Sequence, residues 1–343
     1  MQSFTVGVAR ELTRGLTMDL SYIGSRSKHL ALPANNSELN YVPLEYLALG
    51  NLLFQPITSA AAANAGFVQP FPGFANQLGA NTVAASLKPY PQYTSITANS
   101  TRLMEGEARY DSLQVKATQR VTKGLSIVTF YTFMKNKSNT NYTIAYPGDR
   151  PLGEDPGTAP HIFSFSWSYE LPFGRDKAFL ADSGFASALV SDWRFSGQVR
   201  YQSGAALAIT ATNNLSPLGY AIKYADRVEG ADVYRDEQAD FDPATDRYLN
   251  SAAFAAPAAF ALGNTGGPLG YVRGFQQKSE AFSLARRFNL GNRSLDVGLD
   301  VLNPFNFVRW NDPNTNISSG AQFGSVTGTQ GARTMQINVS YQF

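Results

Sequence analysis

The chain has no cysteine, two histidines, little charge and no long hydrophobic run. The missing cysteine excludes a disulfide scaffold, thiolate zinc, iron–sulfur clusters and thiol catalysis. His29 and His161 alone cannot build a multi-histidine metal centre. Charged residues are 16% of the 343, against about 25% in an ordinary soluble domain. A net charge of +2 leaves no basic field for nucleic acid. A transmembrane helix needs about 18 apolar residues or more. The longest run here, 252–262, is alanine-rich and broken by Pro257. Met1-Gln2-Ser3-Phe4 opens directly into alternating sequence, with neither the basic nor the apolar region of a secretory signal. The chain is therefore either soluble or membrane-embedded as β-structure, and the missing leader argues against export unless further sequence lies upstream.

What is present is aromatic residues, at 13% of the chain, and strict alternation. Met335, Ile337, Val339, Tyr341 and Phe343 share one face, and Gln336, Asn338, Ser340 and Gln342 the other. Successive side chains of a strand point to opposite sides, so this segment has one apolar and one polar face. The pattern returns at 163–171, where Phe163, Phe165, Trp167, Tyr169 and Leu171 oppose serines and Glu170. In 193–202, Trp193, Phe195, Val199 and Tyr201 oppose Arg194, Gln198 and Arg200. Further strands are expected at 4–8, 16–22, 113–121, 125–133, 282–288 and 295–301, nine in all.

The connections are unequal. Thr13-Arg14-Gly15, Thr122-Lys123-Gly124 and 289–293 are tight glycine turns. Between them lie long excursions at 28–108, 136–160, 204–277 and 303–332, with 172–192 of intermediate length. Short turns on one rim and long loops on the other describe a transmembrane β-barrel of the bacterial outer membrane. Open sheet edges in lipid leave backbone groups unpaired, so only closed barrels survive there. The polar face, with Lys116, Arg120, Arg194, Arg200, Asp296 and Asp300, suits a wet lumen. Tyr22, Tyr131, Phe133, Trp193, Tyr201 and Phe343 near strand ends suit an interfacial girdle. A soluble half-buried sheet is the competing reading.

Bacterial barrels have an even strand number. Counting nine crossings back from a periplasmic Phe343 leaves Met1 at the extracellular rim, so at least one strand is expected upstream. Segment 92–99, after Pro89-Tyr90-Pro91, reads as a β-extension above the membrane; as a tenth crossing it would change this count.

Several stretches together are similar to Oar-like TonB-dependent transporters. They are Ala159-Pro160-His161-Ile162-Phe163 through Tyr169-Glu170-Leu171-Pro172-Phe173-Gly174, and Trp193 through Tyr201-Gln202-Ser203-Gly204. Tyr248-Leu249-Asn250 with Phe254 and Pro257, then Gly263-Asn264 and Arg273-Gly274-Phe275, form another set. Leu302-Asn303-Pro304-Phe305-Asn306, the close from Phe323-Gly324-Ser325-Val326-Thr327 to Phe343, Pro89-Tyr90-Pro91-Gln92-Tyr93 and Tyr110-Asp111-Ser112-Leu113-Gln114-Val115 complete the resemblance. It implies a barrel of about 22 strands with an N-terminal plug that binds TonB. The carboxypeptidase-regulatory-like module, TonB box, plug and first half of that barrel are absent here, and Arg273-Gly274-Phe275 lacks the proline often found there. Residues 1–343 are thus expected to be one all-β domain: the C-terminal part of a larger antiparallel barrel, incomplete at its N-terminus and without its plug.

The site expectations follow. The final strand, Met335, Ile337, Val339, Tyr341 and Phe343, resembles the signal read by the barrel-assembly machinery, since strand addition needs only backbone and a matching face. Arg194, Gln198 and Arg200 are candidate lumen-facing residues, with plain wetting of a polar wall as the simpler alternative. Asp240, Asp242 and Asp246 have a calcium-like spacing, but Ala244 holds a ligand position and no bidentate Glu follows, so an acidic solvent loop is favoured. His161 after Pro160 reads as a hydrogen-bonded rim residue. Residues 263–270 are glycine-rich without the lysine and helix of a phosphate cradle. No G-x-S-x-G, H-E-x-x-H, G-x-x-x-x-G-K or G-x-G-x-x-G occurs, so no catalytic, metal or cofactor site is expected and the protein is not expected to be an enzyme. Expected partners are outer-membrane lipid, the assembly machinery, TonB only through the missing plug, and an unknown glycan, peptide or siderophore. The alternatives are a free-standing porin-like barrel and a soluble carbohydrate-binding or adhesin β-sandwich.

Overall fold

The computed structural model describes residues 1–32, 38–77, 81–96, 104–122, 124–140, 152–174, 177–180, 184–212, 214–220, 224–236 and 240–343. Nine long strands are present among them: β1 (Gln2–Thr13), β2 (Leu16–Leu30), β3 (Gly106–Thr122), β4 (Leu125–Ser138), β5 (His161–Glu170), β6 (Trp193–Gln202), β7 (Gln277–Leu290), β8 (Arg293–Leu302) and β9 (Thr334–Gln342). They pair in sequence order as one antiparallel sheet whose outer members are β1 and β9; the two-residue strand Gly153–Glu154 adds to β4. No helix of the described residues is long and apolar enough to cross a membrane.

The nine expected segments all form strands, and several run further toward the long loops. Strand β2 continues from Tyr22 to Leu30, and β3 begins at Gly106 rather than 113. The ladder persists where the alternation stops: Ser25 pairs with Tyr110, Arg26 with Arg109 and Ser27 with Ala108. Both faces of this extension are polar, so no period-2 signal marks it. Segment 92–99 departs from its expectation. Gln92 to Ile96 forms no strand. It is tied to the loop by the Leu39 amide donating to the Ile96 carbonyl at 2.8 Å; 97–99 lie outside the described residues.

Short connections lie at 14–15, 123–124 and 291–292, with Gly15 and Gly291 at positive φ, where glycine meets no Cβ penalty; Lys123 is outside the described residues. The opposite rim carries 31–105, 139–160, 203–276 and 303–333. These loops hold all three buried hydrophobic clusters found among the described residues. In the first, Tyr248 stacks on Phe275 at 4.1 Å and Phe241 meets Phe275 edge-on at 5.1 Å. In the second, Val42, Leu47 and Leu53 of 31–105 pack with Leu215, Leu218 and Tyr220 of 203–276. The loops thus form a cap with its own dry core, and the wall contributes nothing to it.

Candidate functional site: a two-faced wall beneath a packed loop cap

Register fixes which side chains share a face. Val6, Tyr22, Leu113, Phe133 and His161 form one cross-strand row, and Tyr131, Phe163 and Tyr201 run alongside it. Farther along, Gly197, Phe282, Val301 and Met335 line up, as do Phe195, Leu284, Leu299 and Ile337. The apolar side chains form one continuous surface from β1 to β9. Much of this surface is not covered by protein: Ile337 is 74% and Val339 66% exposed. Aromatic rings fill this face. Trp167 lies within 5.6 Å of Phe165, Phe195 and Phe282. Gly197 makes room for it, since a Cβ there would stand 2.5 Å from the indole. The expected girdle residues divide between two rims. Trp193 and Phe343 sit by the short turns; Tyr22, Tyr131, Phe133 and Tyr201 lie toward the long loops. His161 is a rim residue in hydrogen-bond contact with the Tyr131 hydroxyl at 2.8 Å.

The other face is polar. Arg194 pairs with Glu170 and Ala285, Gln198 with Ser166 and Ala281, and Arg200 with Ser164 and Ser279. All three side chains are exposed on that face. A hollow of about 600 Å³ takes Glu170, Arg194, Arg287, Asp296 and Asn338 from five successive strands, which makes this face concave. A second, of about 480 Å³, includes Gln198, Ser283, Asp300 and Gln336. The charges are largely matched in place. Arg287 grips Asp296 with two bonds of 2.7 and 2.8 Å, and Glu170 lies 3.4 Å from Lys177 and 3.8 Å from Arg194. Exposed pairs of this kind are worth little in stability; they set the sign and texture of the surface. Phe130 and Val128 interrupt the polar face, the Phe130 ring lying under Lys116 at 5.5 Å.

Strand β9 is an edge strand, and Met335, Ile337, Val339 and Tyr341 all face the apolar side, exposed together with Phe343. The acidic loop turns on itself. The Asp242 amide donates to Asp246 Oδ2 at 2.8 Å, and the Thr245 hydroxyl donates to Oδ1 at 2.9 Å. These donors, the Asp242 amide first, hold the Asp246 carboxyl below its ordinary range. No group of three metal-ligating residues assembles among the described residues. The 263–270 stretch is part of the cap, where the Thr265 hydroxyl donates to the Ala225 carbonyl at 3.0 Å.

Two features were not legible as sites. A cavity of about 610 Å³ opens between the loops 203–276 and 303–333, lined by Phe241, Phe275, Phe307, Trp310, Lys278 and Asp240. Arg273 joins two loops, 203–276 and 139–160: its Nη2 lies 3.6 Å from Glu154, and Nη1 donates to the carbonyls of Thr158 and Gly204. The motif stretches holding Gly204 and Gly274 meet here so closely that a Cβ on Gly204 would stand 1.8 Å from the Gly274 carbonyl oxygen.

With this geometry in hand, a family profile described as outer membrane beta barrel domain matches residues 1–336. The chain belongs to that family. Its apolar convex face is therefore the lipid face, its short turns the periplasmic rim and its long loops the extracellular cap. The uncovered apolar face is thus no exposed core of a soluble sandwich, and that alternative is set aside. A search of curated proteins finds no match. Among solved structures, the chain is similar to the outer membrane transporter YddB from Escherichia coli, with 10% identity, TM-score 0.45 and coverage of 98% of this chain and 32% of that one. It is also similar to Pseudomonas aeruginosa FpvA bound to pyoverdines, with 9% identity, TM-score 0.40 and coverage of 98% and 26%. A third is the ferric-catecholate import receptor Fiu from E. coli K12, with 12% identity, TM-score 0.35 and coverage of 98% and 34%. The chain spans about a quarter to a third of the length of these structures.

Proposed function

We propose that this outer-membrane barrel domain is the C-terminal wall and extracellular cap of an Oar-like TonB-dependent receptor, and that it takes part in substrate uptake. The observation that carries the reading is the pairing of an uncovered apolar face and a concave polar face with a densely packed cap on one rim only. The motif stretches of the Oar-like transporters support the subtype. Several of them build the cap: Tyr248, Leu249, Phe254, Phe275, Phe323 and Val326 all belong to its largest core. In this reading the wall is passive. It encloses the path, Arg194, Gln198 and Arg200 line the lumen, and the long loops of the cap present the outer binding surface for the substrate, a glycan, peptide or siderophore. Energy comes from TonB through a plug carried elsewhere in the full-length protein.

The open order of the sheet favours this over a free-standing porin. Strands β1 and β9 are the two edges and are not paired to each other, while a spanning sheet must close. Further strands of the same protein complete the barrel. Reading the gene upstream of Met1 separates the two: an in-frame plug supports the receptor, whereas a signal peptide directly before Met1 supports the porin. Planar-bilayer recording of the full-length protein gives the same separation, since a plugged receptor is electrically quiet and a porin conducts steadily.

The exposed edge strand β9 is read as the assembly signal. Deleting Phe343 is expected to lower insertion into the outer membrane, measured as loss of heat-modifiable mobility and of surface labelling. Unchanged values would remove that role.

A further inference from the structure

The connection from β8 to β9 starts on an unusual side of the wall. Three outward positions of β7, namely Lys278, Glu280 and Phe282, each touch it. The Phe282 ring meets Phe305 edge-on at 5.5 Å. Lys278 Nζ lies 4.7 Å from the centre of the Phe307 ring. Arg309 Nη2 donates to Glu280 Oε2 at 3.2 Å. Register settles the face, because Phe282 stands opposite Gly197 and Val301 in the apolar rows. Residues 303–309 therefore fold back over the outside of the barrel wall instead of rising directly into the cap.

The fold-back is built rather than loose. Asn303 is buried and holds a left-handed φ of 51°. Its Nδ2 donates to the carbonyls of Phe307 and Gly331, and its Oδ1 accepts from the Phe307 amide, all at 2.9 Å. Beneath it, Glu280 occupies a position that would otherwise aim a carboxylate at hydrocarbon. Its side chain is 0% exposed and paired with Arg309. A buried carboxylate on the outer face is tolerable only when covered and paired, and the fold-back does both. Its own outward surface is apolar: Phe305 is 54% and Val308 60% exposed. Through Phe282 these side chains continue the aromatic surface of Trp167 and Phe195.

We propose that residues 303–308 dip into the outer leaflet at the extracellular rim, with Phe305 and Val308 among the lipid chains and Lys278, stacked on Phe307, at headgroup level. The partner is the lipid itself, and the assignment follows from continuity with the lipid-facing surface. It rests on the outer-membrane fold, and the test keeps the two apart. The chain has no cysteine, so single labels are introduced as Phe305→Cys and Val308→Cys. Leu299→Cys is the control for the wall's lipid face and Tyr271→Cys the control for the exposed cap. Each is made in the full-length protein in lipid bilayers, with any cysteine outside this chain replaced. Only heat-modifiable, folded protein carrying a nitroxide is measured. The expected result is a loss of accessibility to a water-soluble nickel chelate at 305 and 308, down to the level at 299, with oxygen accessibility retained. Labels at 305 and 308 that match 271 while 299 stays lipid-like would overturn the dipping turn alone. A label at 299 as wet as that at 271 would overturn the assignment of the face and the proposal with it.

Discussion

The wall and the cap are two solutions to the problem of hiding apolar surface. In the cap, Ile209, Leu215, Leu218 and Tyr220 are sealed by protein. In the wall, Val6, Val8, Ile337 and Val339 are sealed by nothing in the chain. The cap uses irregular backbone, short helical turns and side-chain bonds to distant backbone, as where the Asn40 amide donates to the carbonyls of Tyr90 and Tyr93. The wall uses one continuous sheet, with register shifts only near strand ends, and leaves the dry environment to lipid. The same residue types therefore do different work on the two sides of the rim: a phenylalanine at 275 packs a core, and one at 163 meets a solvent of acyl chains.

This comparison is broken most strongly by hollowing the cap. Tyr248→Ala removes a stacked, fully buried ring, and truncations of large buried aromatics cost about 3–5 kcal/mol. The expected outcome is a cap that becomes protease-sensitive in 203–276 while the wall keeps its heat-modifiable mobility, because local unfolding follows cooperative units. Loss of both at once would mean that cap and wall fold as one unit.

The wall is broken by charge rather than by volume. Leu299 faces lipid between Leu284 and Ile337. Leu299→Arg is expected to cost about 2–4 kcal/mol if it lies near the bilayer midplane, read by urea unfolding in liposomes. Asn338→Arg, on the polar face of the neighbouring strand, is expected to change stability far less. Equal effects would erase the distinction between the faces.

The two regions also differ in how much of them was readable from sequence. The wall was legible because lipid and water impose opposite demands on neighbouring residues, which writes a period of two into 163–171, 193–202 and 335–343. It faded where the demand changed. Toward the long loops Ser25-Arg26-Ser27 stays in the ladder with no apolar partner to mark it. On β7, Lys278 and Glu280 stand at outward positions and hide the first turn of the strand, because a later segment covers them. The cap left no such trace. Its buried residues are scattered among loops, joined by contacts such as Thr210 to Thr315, and burial without periodicity has no local signature. The Tyr248-Leu249-Asn250 and Arg273-Gly274-Phe275 stretches, singled out by likeness and not by spacing, are core and crosslink of the cap.

The finest test of the comparison is one phenol. Tyr220 is buried between two loops, and its hydroxyl donates to the Val42 carbonyl. Burial, reinforced by Tyr41 and Glu45 nearby, pushes this group well above the ordinary tyrosine range. The folded cap therefore holds the Tyr220 proton more tightly than the unfolded chain does. The stability this contributes is fully present below the unfolded phenol value of about 10 and is lost as pH rises beyond it. The cap is expected to loosen in alkali before the wall, seen as proteolysis in 31–105 above about pH 10 while heat-modifiable mobility persists. Tyr220→Phe leaves the Val42 carbonyl without its donor and is expected to cost about 1–3 kcal/mol at neutral pH. It should also flatten the alkaline loss, because no proton remains to be released at that site. A variant that is destabilised but keeps the full alkaline loss would assign the pH dependence to another group. A wall that fails at the same pH as the cap would show that the two regions do not hide their apolar surface independently.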